Sequence, residues 1–278
     1  MNLPLPTKIS SYADAKAFLK QVRECELQLF LRGINERAHF RGEEDIAYTL
    51  RPKITRYGHS SPELAAIEPK LMGEFKDELK ARGLYMHIRE GFIGFPHHEE
   101  WLFYQQAQHL GLATRFLDWT LKYEVALFFA CQSLIQTNGK LYVYVPSSKI
   151  FQADRRDDNY ANFHPTQITT PVFLNPSDFG DDNSMVKFAQ RFRARQHGRF
   201  LITPLDSAVV DMKNELQHDS YFHTVTILHN AKVDILRGID TEEAITQQTL
   251  FIENDPEAVK FKKETAPIIE QLHQKYLQ

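Results

Sequence analysis

The chain has 278 residues, 42% hydrophobic and 25% charged, with 12 Gly, 13 Pro and 2 Cys. That length can bury a sizeable core in one large domain or two small ones, and the near-average composition excludes a disordered, collagenous or low-complexity chain. Lys+Arg number 33 against 36 Asp+Glu, a formal charge of -3. The global balance therefore supplies no dense cationic surface for non-specific nucleic-acid binding.

Cys25 and Cys131 each fall in apolar helical runs. There a cysteine acts as a small buried hydrophobe, and two alone make neither a disulfide scaffold nor a zinc cage. A reducing compartment is the expectation. No apolar run approaches the roughly 20 residues that span a bilayer. The stretch Met1-Asn2-Leu3-Pro4-Leu5-Pro6 lacks the cationic and apolar regions of a secretory signal. A cytoplasmic protein with no membrane partner is expected.

In chain order, Ser10 or Ser11 caps a helix from about Tyr12 to Leu31, with Ala15, Phe18, Val22, Cys25 and Leu29 on one face. Ala38 to Glu43 reads as a strand and Pro52 to Ser61 as a loop. Ser61-Pro62-Glu63 opens a helix that runs to about Arg82 and ends at Gly83, broken or kinked at Pro69. A helix from His98 to about His109 stops at Gly111. The stretch from His109 to Thr120 reads as a connection, followed by an apolar helix from about Leu121 to Ile135. Lys140 to Val145 reads as a strand. The polar stretch from about Ser147 to Ile168 is a candidate flap. Further strands are expected near Val172, at Gly198 to Ile202 and at Phe222 to Leu228, with a closing helix from Pro256. Strands and helices intersperse without a βαβ rhythm, which makes the fold class α+β, in one mixed domain over residues 1–278.

No Gly-x-Gly-x-x-Gly, Gly-Lys-Ser/Thr, Cys-x-x-Cys, His-Glu-x-x-His or Gly-x-Ser-x-Gly occurs. The usual dehydrogenase, P-loop, zinc-protease and α/β-hydrolase readings thus lack support. His97-His98-Glu99-Glu100 reads as a solvated helix start, because adjacent side chains on a helix diverge, and no metal site is expected.

Three clusters carry chemistry. In Phe40-Arg41-Gly42 a planar cation stands beside a point of close backbone approach. It suits a phosphate or carboxylate ligand, but taken alone the tripeptide favours an ion pair with a buried acid such as Asp118. In Gln108-His109-Leu110-Gly111-Leu112-Ala113-Thr114-Arg115-Phe116-Leu117-Asp118-Trp119-Thr120 isolated polar residues sit among apolar ones. Arg115 and Asp118 can satisfy a buried connection, or His109, Asp118 and Thr120 can rim a pocket floored by Trp119. Finally, Arg191, Arg193, Arg195 and Arg199 crowd ahead of a strand, as a solvated face or an anion-binding one.

Taken together and in this order, the clusters resemble the FRG domain family. The resemblance runs through Gln108-His109-x-Gly111-x-x-Thr114-Arg115-x-Leu117-Asp118-Trp119-Thr120 and the helix Val125 to Ala130. It continues at Gln196-x-Gly198-x-Phe200, Gly238-Ile239 and Thr249-Leu250-Phe251, covering about residues 20–270. The chain departs from the pattern at Lys122-Tyr123, where Asn-Pro or Ser-Pro is expected.

A more distant similarity to ADP-ribosyltransferases implies a largely antiparallel central sheet flanked by helices. It implies NAD as substrate, with Arg41 gripping the diphosphate, Gly42 letting the backbone meet the nicotinamide amide, Thr120 in the element that supports the nicotinamide ribose and Trp119 stacking on nicotinamide or adenine. Gln196, Asp118 and His109 then carry catalysis, Asp118 or Glu124 supplying the negative charge that the neutral Gln196 lacks. The function so implied is an NAD-dependent ADP-ribosyltransferase or NAD glycohydrolase, as in a toxin or antiviral effector with a partner antitoxin. The competing reading is a non-catalytic module binding RNA or DNA through Arg191, Arg193, Arg195 and Arg199. A divalent-metal nuclease is disfavoured by the lack of a compact acidic set.

Overall fold

Ser11 caps the first helix, α1 (Tyr12–Phe30), by accepting a hydrogen bond from the Asp14 main-chain N–H at 3.1 Å. The five apolar residues spaced along its sequence are the ones buried. The computed structural model describes residues 5–34, 36–85, 97–132, 136–146, 151–153, 164–168, 171–174, 197–219, 221–251 and 256–278.

The strands are β1 (Lys8–Ile9), β2 (His39–Glu43), β3 (Leu117–Thr120), β4 (Gly139–Val145), β5 (Phe151–Ala153), β6 (Val172–Leu174), β7 (Gly198–Ile202) and β8 (Tyr221–Ile227). They form one sheet in the order β1-β8-β4-β2-β3-β7-β6-β5. Neighbours pair antiparallel except β1 with β8 and β5 with β6. The longer helices are α2 (Ser61–Ala81), α3 (His98–Leu110), α4 (Tyr123–Cys131), α5 (Lys232–Glu243) and α6 (Pro256–Tyr276). A mixed α/β fold on a mostly antiparallel sheet is thus what the chain adopts.

Strand alternation sorts the core. Leu141, Val143 and Val145 of β4 pack with Phe40, Val225 and Ile227 beneath α1, α4 and α5. The intervening Tyr142 and Tyr144 join Leu117, Trp119, Phe173 and Leu201 on the opposite face. Toward the other end of the sheet, Val172, Leu174, Phe200 and Ile202 pack with α2, α3 and α6. Phe40 is registered with Thr120, and Phe200 with Asp118. The two helical groups therefore cover the same face and meet at the β2–β3 junction.

That junction is thin. β2 pairs with β4 along all five residues, and β3 with β7 along four, but β2 and β3 share the single pair Phe40↔Thr120. Beyond it the strands part.

Three expectations need correction. Residues 117–120 form an interior strand rather than part of a connection. Leu117 and Trp119 point to one face, Asp118 and Thr120 to the other, and four residues are too few to show that alternation against apolar surroundings. α2 runs unbroken through Pro69: the capping box Ser60/Glu63 starts it, and Leu64, Leu71, Met72, Phe75 and Leu79 bury one stripe, offsetting the hydrogen bond that proline lacks. α4 begins at Tyr123, because Leu121 and Lys122 are used in a turn. Of the candidate flap, the structure describes 151–153 as β5 and Pro165–Gln167 as a 3₁₀ turn; the remainder lies mostly outside the described residues. Among the described residues no helix is long and apolar enough to cross a membrane.

Candidate functional site

A cleft of about 460 Å³ opens where β2 and β3 separate. β2 contributes Phe40, Arg41, Gly42 and Glu43; β3 contributes Asp118, Trp119 and Thr120; α3 contributes Gln108 and His109. Val125, Ala126 and Phe129 of α4, with Phe251 and Lys262, close the side beneath the helices, and Glu44, Tyr48 and Arg56 come from the chain after β2.

Arg41 stands at the parting of the strands. Its Nε and Nη2 both donate to Glu43 Oε1, at 2.9 and 2.7 Å, and its Nη1 donates to the main-chain oxygen of Asp118 at 2.6 Å. Residues i and i+2 of a strand share a face, which brings Glu43 to Arg41. The ion-pairing acid is therefore Glu43; Asp118 supplies its carbonyl. Both side chains of the pair are largely desolvated, at 13% and 10% exposure. Burial pulls the guanidinium pKa down, but Glu43 and Asp118 outweigh it and the net shift is upward. Among the described residues three of the five guanidinium N–H groups are committed, leaving two for a ligand.

Gly42 is needed by α4. A Cβ there would lie 1.9 Å from the Ala126 carbonyl oxygen and 2.7 Å from the Ala130 nitrogen. The close approach expected of this glycine is thus made to helix backbone, although the residue also lines the cleft. Gly238, another position of the resemblance, has a similar use: its Cβ would run into the Tyr12 ring of α1.

Asp118 is exposed, and it is exposed into the cleft. Crowding by the walls raises its carboxyl pKa, while the Arg41 guanidinium and a hydrogen bond from Gln108 pull it back. Gln108 Nε2 donates to Asp118 Oδ2 at 3.0 Å, and Gln108 Oε1 accepts from the Thr114 hydroxyl at 2.6 Å. Thr114 Oγ1 in turn accepts from the Phe116 N–H. This relay fixes which amide atom of Gln108 meets the carboxylate.

Trp119 lines the cleft but is mostly core, 2% exposed. Its ring packs 6.0 Å from Tyr144 and 6.2 Å from Phe173, and its Nε1 is buried with no hydrogen-bond partner among the described residues. Thr120 Oγ1 accepts from the Lys122 N–H at 2.9 Å. That bond closes the turn into α4 at the point where the sequence departs from the family pattern. His109 lines the cleft beside Phe200, rings 5.6 Å apart.

Arg115 serves structure. It is 1% exposed, ion-paired to Glu68 at 2.8 Å, and donates to the carbonyls of Thr203 and Pro165. The central motif thus splits: Arg115 locks α2 to the sheet, while Gln108, His109, Asp118 and Thr120 face the cleft. Glu124 is outside the lining.

Gln196, Arg191, Arg193 and Arg195 lie outside the described residues. Arg199 is half-buried in β7, registered with Trp119 and bonded to the Gly198 carbonyl. Sequence reasoning passed over Glu43 as a partner, and Tyr48, Arg56 and Lys262 altogether; it placed Phe129 only in the resemblance helix. The i, i+2 spacing from Arg41 could have revealed Glu43; nothing local marks Lys262, more than 200 residues away. Among the described residues no group of three or more His, Cys, Asp and Glu side chains could hold a metal ion.

An arginine and a carboxylate thus converge on a cleft at a discontinuity in the sheet of a mixed α/β domain. Residues 36–139 match the family model described as the FRG domain, so an FRG domain is present there. The match spans β2 to the start of β4; the Gln196-x-Gly198-x-Phe200 segment lies beyond it. No curated protein and no solved structure matches the chain.

Proposed function

We propose that the cleft binds NAD and that the protein cleaves it, as an ADP-ribosyltransferase or NAD glycohydrolase. One observation carries this reading: Arg41, Asp118 and Thr120, on two strands nearly 80 residues apart in sequence, line a single cavity of about 460 Å³, within the usual range for small-molecule sites.

Two N–H groups of Arg41 remain to grip an anionic ligand group. The Asp118 carboxylate, oriented by Gln108, offers negative charge where the nicotinamide–ribose bond breaks and the ribose becomes oxocarbenium-like. The bonding pair leaves with nicotinamide, which departs neutral because it began as a pyridinium, so no general acid is needed. Water, or an acceptor nucleophile, adds at the ribose carbon, and His109 at the cleft edge takes its proton. Aromatic surface for a base comes from Phe129, Phe251 and Tyr48, since the Trp119 ring is packed in the core. A toxin or defence effector that consumes NAD is the setting this reading implies.

The test is mass spectrometry of NAD incubated with the purified chain, with and without EDTA, beside calorimetric titration of NAD. Metal-independent release of nicotinamide, reduced at least about 100-fold in Asp118→Asn, is expected. Neither binding nor release by the wild type would overturn the reading.

A further inference from the structure

The gap between β2 and β3 has one fixed end. There the single pair Phe40↔Thr120 joins the strands, and beside it side chains of the opposite sheet face interlock across the junction. The His39 ring of β2 lies 4.3 Å from that of Phe173 in β6. Tyr144 of β4, registered with His39, lies 5.9 Å from Phe173 and 6.0 Å from Trp119 of β3. All four are at most 2% exposed, so this aromatic seam is packed as tightly as a core. The short link Leu121-Lys122, from β3 to the helix α4 that rests on Gly42, starts at the same end.

Away from that end the ladder is gone, and Arg41 Nη1 spans the gap to the Asp118 carbonyl at 2.6 Å. Water can replace a partner in such a bond, which makes it far easier to open than the seam. The mouth is crossed by the chain after β2, which carries Tyr48 and Arg56 of the lining. Its near part is tied to the β2 side: Lys232 Nζ donates to the Glu44 carbonyl at 2.7 Å, the Ile46 N–H to the Asn138 carbonyl at 2.7 Å and Lys140 Nζ to the Tyr48 carbonyl at 2.6 Å. Its far part is tied to the β3 side: Lys53 Nζ donates to the Gly111 carbonyl at 2.7 Å, and the Ile54 N–H to the Thr114 carbonyl at 3.3 Å. Each side also has its own core, with α1, α4 and α5 on one and α2, α3 and α6 on the other. Two well-packed bodies joined at one edge move by turning about that edge rather than by deforming.

We propose that the cleft opens and closes as a pair of jaws. β2, β4 and β8 with their helices turn against β3, β7 and β6 with theirs, about the Phe40–Thr120 pair and its aromatic seam. The Arg41 bond to the Asp118 carbonyl is the clasp, and the chain from Glu44 to Tyr57 is the strap that limits the opening. The movement belongs to the fold and does not depend on which molecule the cleft takes.

Pulsed dipolar spectroscopy tests it on the full chain, with spin labels at Lys70→Cys in α2 and Arg237→Cys in α5, both exposed and on opposite sides of the gap. The native Cys25 and Cys131, 3% and 0% exposed, stay unlabelled. The doubly labelled parent is compared with the same chain carrying Arg41→Met or Lys53→Met. Loss of the clasp should lengthen the mean distance by at least about 2 Å and broaden its distribution. Loss of the exposed Lys53 tie should shift it the same way by less. A shift at unchanged melting temperature in either variant supports the jaws. Distributions that superimpose on the parent in both would overturn them, as would a shift confined to an Arg41→Met chain that has lost melting temperature. No ligand is added, so the outcome is separable from the NAD reading. Nicotinamide release without movement keeps the enzyme and discards the jaws; movement without release does the reverse.

Discussion

The guanidinium of Arg41 donates to the main-chain carbonyl of Asp118 at 2.6 Å, just past the single residue pair that joins β2 to β3. A side chain thus takes over where the backbone ladder stops. The strands can separate into a cleft without stranding that carbonyl, which would otherwise cost the desolvation of an unpaired acceptor. The same residue therefore braces the split and lines the cavity it creates.

Glycine chemistry on the two sides of that frame should differ in sign. Gly42→Ala forces a methyl into the α4 backbone, and rigid helix cannot yield as a flexible side chain would. A loss of about 3 kcal/mol is expected in urea unfolding. Gly73→Ala, inside α2 with nothing within 4 Å of its added Cβ, should gain roughly 0.5–1 kcal/mol.

Breaking the Arg115–Glu68 pair should be more damaging than removing it. Both groups are 1% exposed, and burial raises the Glu68 carboxyl pKa against the opposing pull of the Arg115 guanidinium. Arg115→Met leaves that acid alone and should cost about 3–5 kcal/mol. Adding Glu68→Leu should recover much of the loss, as read by the chemical-denaturation midpoint.

Acid should destabilise the fold through two neutral histidines. Burial lowers the His39 pKa from 6.5 to about 3, and that of His273 to about 4. His273 Nε2 accepts the Ala113 N–H at 3.0 Å, a bond that requires it unprotonated. The native state refuses protons that the unfolded chain binds, so their contribution is complete above about pH 6.5 and falls as pH drops toward 4. Each site contributes a slope of about 1.4 kcal/mol per pH unit. Thermal melts from pH 7 to 4 should show this fall, and His273→Gln, which keeps an acceptor but takes up no proton, should shrink it by one site.

On the NAD reading, Gln108→Leu should move the acid limb of activity upward in pH. The Gln108 hydrogen bond lowers the Asp118 pKa against the crowding that raises it, so its loss raises the pKa further. Activity that needs the carboxylate charged is then lost at a higher pH. A pH–rate profile of nicotinamide release checks this, and an unmoved acid limb would remove Asp118 from that role.

By itself, the sequence determined what is set within a few turns of chain. The Ser11 cap and apolar spacing of α1, the left-handed Gly111 that stops α3 and the alternating β4 all arise from neighbours, and each stands where the pattern puts it, whereas α2 is capped one residue ahead of Ser61, by Ser60 with Glu63. Sequence also singled out Arg41 and Asp118 as chemistry-bearing residues. Only the tertiary structure decided their partners, because pairing depends on strand register and on which helices cover which face. Register made β3 an interior strand and gave Arg115 to Glu68, 47 residues away. The parting of β2 from β3 drew Arg56, Phe251 and Lys262 to one cleft. No local pattern encodes a gap between strands: it exists because two helical groups pack on one sheet face, and the sheet divides between them.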